Sequence, residues 1–419
     1  MTFDEVLGLA KTGNAEAQYA IGAAYLNGDG VEQDCEQAFY WMLQAAEQGH
    51  RDAQSDVGTM YSKGDGVPKD LVKSVEWHTK AAEQGDIDSQ FIVGSSYYDG
   101  EVAGVKQDNN LAIKWLTKAA EQGDADAQYY LGNIYAFRLE PPNMSEAAKW
   151  FKFSAEQGKS DAQLMYAVLL NEGQGVAVNQ KQALYYTAEA AKQGNIEAQF
   201  NLGCYFRDGI GCVADIEQAA YWFSQGANSG DAGSEYNLGV LYMNGHGVEK
   251  NIQKAIRLLE SASKKGVADA SYNLGMIYGQ PMGVTLNLQE AKKWFQIAVR
   301  QGDQEAAERV RECEQLINEN QRNSMSTSGS GGGCYIATAV YGSYDCPEVW
   351  TMRRYRDKIL DATWYGRLFI KLYYAISPTL VDLFGDAKWF KTFWKKHLDM
   401  FITKLNDEGI ENTRYIDKY

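Results

Sequence analysis

The chain has no long apolar run. None of its hydrophobic stretches approaches the ~20 residues that a membrane-crossing helix needs. Its start, Met1-Thr2-Phe3-Asp4-Glu5, has neither the charged leader nor the apolar core of a secretory signal, so the expected location is cytoplasmic. Cysteine is sparse: six in 419 residues, without regular spacing, a pattern of free thiols rather than of a disulfide framework. Positive charge is short as well, with 40 Lys and Arg against 55 Asp and Glu, a net of −15. The deficit lies before Cys334, where 27 basic residues meet 44 acidic ones; from Cys334 onward the balance is 13 to 11. So acidic a chain is unsuited to a phosphate backbone, and nucleic acid is not an expected partner. A basic protein segment is the expected partner chemistry, although the same acids also keep a long chain soluble.

What the sequence does have is a period. A Leu-Gly-type step recurs with its second residue at Gly22, Gly58, Gly94, Gly132, Ala167, Gly203, Gly239 and Gly275, at gaps of 36, 36, 38, 35, 36, 36 and 36 residues. Such self-similarity signals stacked supersecondary units. In residues 195–230, Ala198, Leu202 and Phe206 mark one face of a first helix, and Ala219, Trp222 and Phe223 mark a second. Asp208-Gly209-Ile210-Gly211 between them is suited to a tight reversal. Each unit therefore reads as an antiparallel helical hairpin. Small residues such as Ala198 and Ala270, with Gly203, Gly239 and Gly275, allow close helix approach. The indoles, Trp222 and Trp294 among them, are expected to key hairpins onto their neighbours. One hairpin cannot bury its own apolar face, whereas a stack can.

The pattern A-Q-x-x-L-G-x-x-Y, G-x-G-V, A-x-x-W-x-x-x-A-A-E-Q-G resembles the Sel-1-like repeat, a relative of the tetratricopeptide repeat, eight times over residues 1–317. The resemblance implies an all-α fold, a right-handed α-solenoid of antiparallel helix pairs, used as an adaptor or scaffold without catalytic residues in its repeats. Residues 1–13 read as an N-terminal cap and 303–317 as a charged C-terminal cap. Gly49, Gly85, Gly123 and Gly194 supply left-handed helix ends, and the Asp or Asn that follows several of them is placed to cap the next helix. Irregular turns fall at Glu101–Gly104, Arg138–Asn143 and Gln280–Gly283, loops where either function or drift is expected.

Residues 318–333 are rich in Ser and Gly and read as a flexible tether. Beyond them, 334–419 resembles the CFI-box C-terminal domain, on Gly333-Cys334-Tyr335-Ile336-Ala337-Thr338-Ala339, Tyr341-Gly342-Ser343, Pro347, Arg353, Arg356-Asp357, Gly366-Arg367, Tyr373-Tyr374 and Ser377-Pro378. This resemblance supplies a name and no mechanism. Helices are expected over about 347–361, 366–376 and 386–405. The last carries Trp389, Phe390, Phe393, Trp394, Leu398, Phe401 and Leu405 on a wide apolar arc, read as closing a small helical core; an alternative is a basic helix in a membrane interface.

Candidate sites follow from these patterns. Asn201, Asn237 and Asn273 form a 36-residue ladder on the first helices, which line the concave groove in related scaffolds. Their carboxamides suit an extended peptide backbone, or else a bond to the neighbouring hairpin. Tyr25, Tyr61, Tyr97, Tyr135, Tyr242 and Tyr278 are expected in the core. Cys334 is a weak nucleophile candidate, with His397 or the Arg353–Arg356 segment to activate it, because no third orienting residue can be named. Cys334, Cys346 and one His do not complete a metal set, and no cofactor is expected. The expectation is a non-enzymatic adaptor that holds a protein or peptide in its groove, with the C-terminal module making a second contact. The rivals are a Cys334-dependent thiol enzyme and a membrane-targeting module.

Overall fold

The computed structural model describes residues 2–100, 104–327, 352, 354, 355 and 387–407. All regular structure among them is helical. A single helix, α1 (Phe3–Lys11), precedes the pairs. The pairs are α2 (Ala15–Asn27) with α3 (Cys35–Glu47), α4 (Arg51–Lys63) with α5 (Leu71–Glu83), and α6 (Ile87–Asp99) with α7 (Asn109–Glu121). There follow α8 (Ala125–Phe137) with α9 (Met144–Glu156), α10 (Ser160–Glu172) with α11 (Gln180–Lys192), and α12 (Ile196–Asp208) with α13 (Ile216–Asn228). The last are α14 (Ala232–Asn244) with α15 (Ile252–Lys264) and α16 (Ala268–Gly279) with α17 (Leu288–Arg300); α18 (Ala306–Thr327) and α19 (Lys388–Asp407) complete the order. The chain forms two compact units, Met1–Leu274 with Met282–Val284, and Gly275–Pro281 with Thr285–Tyr419.

In the first unit the helix ends are written into the sequence. Asp34, Asp70, Asp108, Asn143, Asn179, Asp215 and Asn251 each accept a backbone N–H in the first turn of a second helix. Asn14, Asp86, Asp124, Asn195 and Asp231 do the same for first helices. Each such cap contributes about 1 kcal/mol.

Within a pair, the glycine of the first helix is a contact surface. A Cβ on Gly203 would stand 2.6 Å from the Phe223 ring, and one on Gly94 would stand 2.6 Å from Leu116. The same holds for Gly22 with Met42, Gly58 with His78, Gly132 with Phe151 and Gly239 with Leu259. The residue seated on the glycine is therefore the one after the indole. The fifth pair supports this reading: Ala167 replaces the glycine, and its opposite number is the small Thr187, itself buried and hydrogen-bonded to Tyr205. Trp222 instead packs with Ala190 and Ala191 of the preceding pair and with Ala198 and Leu202 of its own. Of the six repeat-position tyrosines, Tyr61 is buried and the other five are half-buried.

In the second unit Phe295 lies over Gly275, where a Cβ would meet its ring at 2.6 Å, and Trp294 is half-buried. α18 packs on α17 and runs to Thr327, so the tether expected from residue 318 is helical over its first part. Glu, Asn, Gln, Arg, Ser and Met fill 319–325, and no Gly or Pro interrupts the helix before Gly329. The expected helices over 347–361 and 366–376 lie outside the described residues, apart from 352, 354 and 355.

Candidate functional site

First helices of successive pairs meet directly, α6 with α8 and α12 with α14, so together they form one continuous face of the stack. Asn201 occupies the sixth position of its helix. Reading that position from the second pair onward gives Asp56, Ile92, Tyr130, Met165, Asn201, Asn237 and Asn273, all half-buried; in the first pair it is the exposed Ala20. The column is acidic at one end, apolar in the middle and carboxamide at the other end.

The acidic end is reinforced at the helix N-termini. There, the second residue of one first helix faces the N-cap of the next. His50 Nε2 lies 3.1 Å from Glu16, Lys159 binds Asp126, and Asn195 donates to Asp161 at 3.0 Å. At Asp52 opposite Asp86, and Asp88 opposite Asp124, both positions are acids. Arg51 pairs with Asp52 at 2.8 Å. Asp56, Asp86, Asp88 and Asp124 have no ion-pair partner among the described residues. Burial raises the Asp56 carboxyl above its ordinary value, and Asp52 and Asp86 push it further, against a hydrogen bond from Tyr19. Burial, with the Asp56 charge, pushes the Tyr19 hydroxyl up to about 12. Asp124 is likewise raised by burial, with Asp126 and Asp88 adding to the effect.

The middle is aromatic. Tyr130 meets Phe91 edge-on at 5.5 Å and Tyr98 at 5.2 Å. Arg138, from the irregular fourth turn, places its guanidinium 4.6 Å from the Tyr98 ring centre, and its carbonyl accepts from Asn109 at 3.1 Å. That turn thus docks on the preceding pair by a hydrogen bond, where a glycine makes the approach elsewhere.

The three asparagines differ. Asn237 accepts from Arg207 Nη1 at 2.6 Å and donates to the Gly233 carbonyl at 2.8 Å. Asn273 is hydrogen-bonded to Tyr236. Both therefore bridge to or brace neighbouring elements. Asn201 makes no hydrogen bond among the described residues.

The sequence reading missed a second ladder. Gln18, Gln54, Gln90, Gln128, Gln163 and Gln199 are buried, and each donates to the carbonyl eight residues earlier, on the preceding helix, at 3.0–3.3 Å. Five of them accept from the glutamine that ends their own pair: Gln48, Gln84, Gln122, Gln157 and Gln193, at 2.6–2.9 Å. These are the glutamines of A-Q and E-Q-G. The ladder stops at Gln199, because Ser229 holds the donor position and leaves Gln199 Oε1 buried without a partner. The next rung is ionic, with Lys265 Nζ 2.8 Å from the buried Glu235.

Of the chemistry candidates, Cys334, Cys346, Arg353 and Arg356 lie outside the described residues. His397 is exposed, its Nδ1 2.8 Å from the Phe393 carbonyl and its ring 4.4 Å from the Phe393 ring. Among the described residues no group of His, Cys, Asp and Glu could hold a metal, and Cys35, Cys204, Cys212 and Cys313 are free thiols. No described helix is long and apolar enough to cross a membrane. In α19 the buried stripe is Leu398, Ile402 and Leu405, with Trp394 and Phe401 half-buried, while Trp389 and Phe393 are exposed. The single apolar arc expected there is corrected: at 100° per residue, Trp389 and Phe393 fall opposite that stripe.

This architecture defines a helical-repeat solenoid of antiparallel helix pairs. The Sel1 repeat family matches at residues 15–50, 51–86, 87–124, 125–159, 160–195, 196–231, 232–267 and 268–303, and the chain belongs to that family. Proteins built from such repeats are generally protein-interaction scaffolds and typically not enzymes. A protective antigen of uropathogenic Escherichia coli strains is similar in structure, with TM-score 0.65 and 23% identity, over 97% of this chain and 93% of that one. A Sel1 repeat protein of Oxalobacter formigenes is similar at TM-score 0.57 and 28% identity, over 74% and 89% of the two chains. No curated protein matches the sequence.

Proposed function

We propose that the first-helix face binds an extended protein segment that is basic where it crosses the second to fourth pairs. The observation that carries this reading is the set of carboxylates, Asp56, Asp86, Asp88 and Asp124, packed near one another without ion-pair partners among the described residues. Like charges held together raise the free energy of the unbound protein, and an incoming Lys or Arg relieves that cost. Arg207, Asn237 and Tyr236 stiffen the far end, and Asn201 offers its carboxamide to a main chain. The protein acts as a non-enzymatic adaptor, and the C-terminal module contributes a separate contact. No cofactor takes part in this reading.

Fluorescence anisotropy of a labelled extended peptide with an Arg/Lys-rich stretch, titrated with the full chain, tests it. Asp56→Asn with Asp88→Asn weakens binding by about tenfold or more and flattens its salt dependence. Asn201→Ala weakens binding at unchanged salt dependence. Equal affinity of the acid variant, or preference for an acidic peptide of the same length, rejects the reading.

A further inference from the structure

We propose that the ring of Tyr98, packed against Tyr130, takes the guanidinium of an arginine in the bound segment, and that Arg138 of this chain holds that place until the segment arrives. The inference rests on the reading of the first-helix face as the binding face. Tyr130 belongs to the sixth-position column. The Tyr98 ring centre lies 5.2 Å from that of Tyr130, and the Phe91 ring centre 5.5 Å from it. All three rings are half-buried, so they are packed in place and still reachable. Asp99 follows Ile92 by seven residues, on the same side of α6. It is exposed and has no ion-pair partner among the described residues. Burial, with the charges of Asp99 and Asp126 adding to it, raises the Tyr130 hydroxyl above its ordinary value. The rings are thus a cation-binding surface bordered by carboxylates.

A cation already stands on it. The Arg138 guanidinium lies 4.6 Å from the Tyr98 ring centre. Arg138 is exposed and makes no ion pair among the described residues, so a ring rather than a carboxylate holds it. The turn does not need that contact. The Arg138 carbonyl accepts from Asn109 at 3.1 Å, and its N–H donates to the Ile134 carbonyl at 2.9 Å. The guanidinium can therefore leave while the backbone stays docked. Most first helices end instead on a glycine, as at Gly28, Gly64, Gly173, Gly209 and Gly245, which offers no side chain to a neighbouring ring. A guanidinium on a partly exposed ring is held weakly, and an incoming arginine that also reaches Asp99 gains the ion pair that Arg138 lacks. Lysine gains less, because its compact ammonium is strongly hydrated and does not stack on a ring.

The test is fluorescence anisotropy of the full chain with a labelled peptide of alternating Arg and Gly, and with its Lys counterpart. The arginine peptide binds more tightly. Arg138→Gln tightens it further by about two- to fivefold, the worth of one exposed cation–ring contact. Tyr98→Leu weakens the arginine peptide more than the lysine peptide, whose retained binding shows that the variant is folded. In the Tyr98→Leu background Arg138→Gln brings no gain, because the ring it would vacate is gone. An equal gain in both backgrounds makes loss of a positive charge the whole effect, and overturns the proposal. So does unchanged affinity of Arg138→Gln, or equal affinity for the two peptides. These failures leave the groove reading standing where Asp56→Asn with Asp88→Asn still weakens both peptides. Where it does not, or where the unaltered chain binds neither peptide, the groove reading falls and this inference falls with it.

Discussion

At the scale of single residues, the protein trades side-chain volume across a fixed gap. Gly203 exists so that Phe223 can lie on the helix backbone, and Ala167 is tolerated because Thr187 is small. Gly203→Ala should cost about 1–3 kcal/mol by overpacking, and Phe223→Thr more, about 3–5 kcal/mol, by opening a cavity. The double variant should be more stable than the sum of the two losses predicts, which urea denaturation of the full chain would measure. His78 is a different exchange. It fills the place that Leu116 fills in the next pair, bonded to Ser89 at 3.1 Å, and burial lowers its pKa from 6.5 to about 4. The unfolded chain therefore binds a proton that the folded chain refuses. Stability is complete above 6.5 and declines as pH falls from there towards about 4. The loss amounts to at most about 3 kcal/mol. His78→Leu should reduce the fall in Tm over that interval; an unchanged pH profile would show that His78 is not the group responsible.

At the scale of the helical pair, two ladders hold the stack, and the sequence displayed them unequally. Glycine and aromatic positions stand out because their sizes alternate at a fixed period. The Asp and Asn caps stand out because they follow a glycine or precede an apolar run. The glutamines did not, although they sit inside the quoted motif. A polar residue on a helix reads as solvent-facing until it is known which carbonyl lies beside it, and Gln54 reaches Ala46 and Gln84 only through the geometry of the turn. The break at Ser229 offers a test of the ladder. Ser229→Gln supplies the donor that Gln199 lacks and should stabilise the protein by about 1 kcal/mol. Gln90→Ala, which strips partners from Ala82 and Gln122, should destabilise it by about 1–3 kcal/mol. Equal Tm values for all three chains would mean that the ladder is ornamental.

At the scale of the whole molecule, the period that was plain in the sequence produces a face whose chemistry changes along its length while its shape repeats. Asp56, Ile92, Tyr130, Met165 and Asn201 occupy one register on five successive first helices. A globular enzyme gathers unlike residues at one point; this chain spreads them along a line, which suits an extended partner. The asparagine ladder was legible as a spacing. Its division into one open rung and two braced ones was not, because Arg207 and Tyr236 belong to other motif positions. The most direct measurement places a photo-crosslinking amino acid at Ile92 or Asn201 on first helices, and at the exposed Tyr40 or Tyr221 on second helices, in the full chain inside cells. Partner peptides recovered by mass spectrometry should come from the first-helix positions and be rich in Lys and Arg near position 92. Crosslinks confined to Tyr40 and Tyr221 would contradict the account.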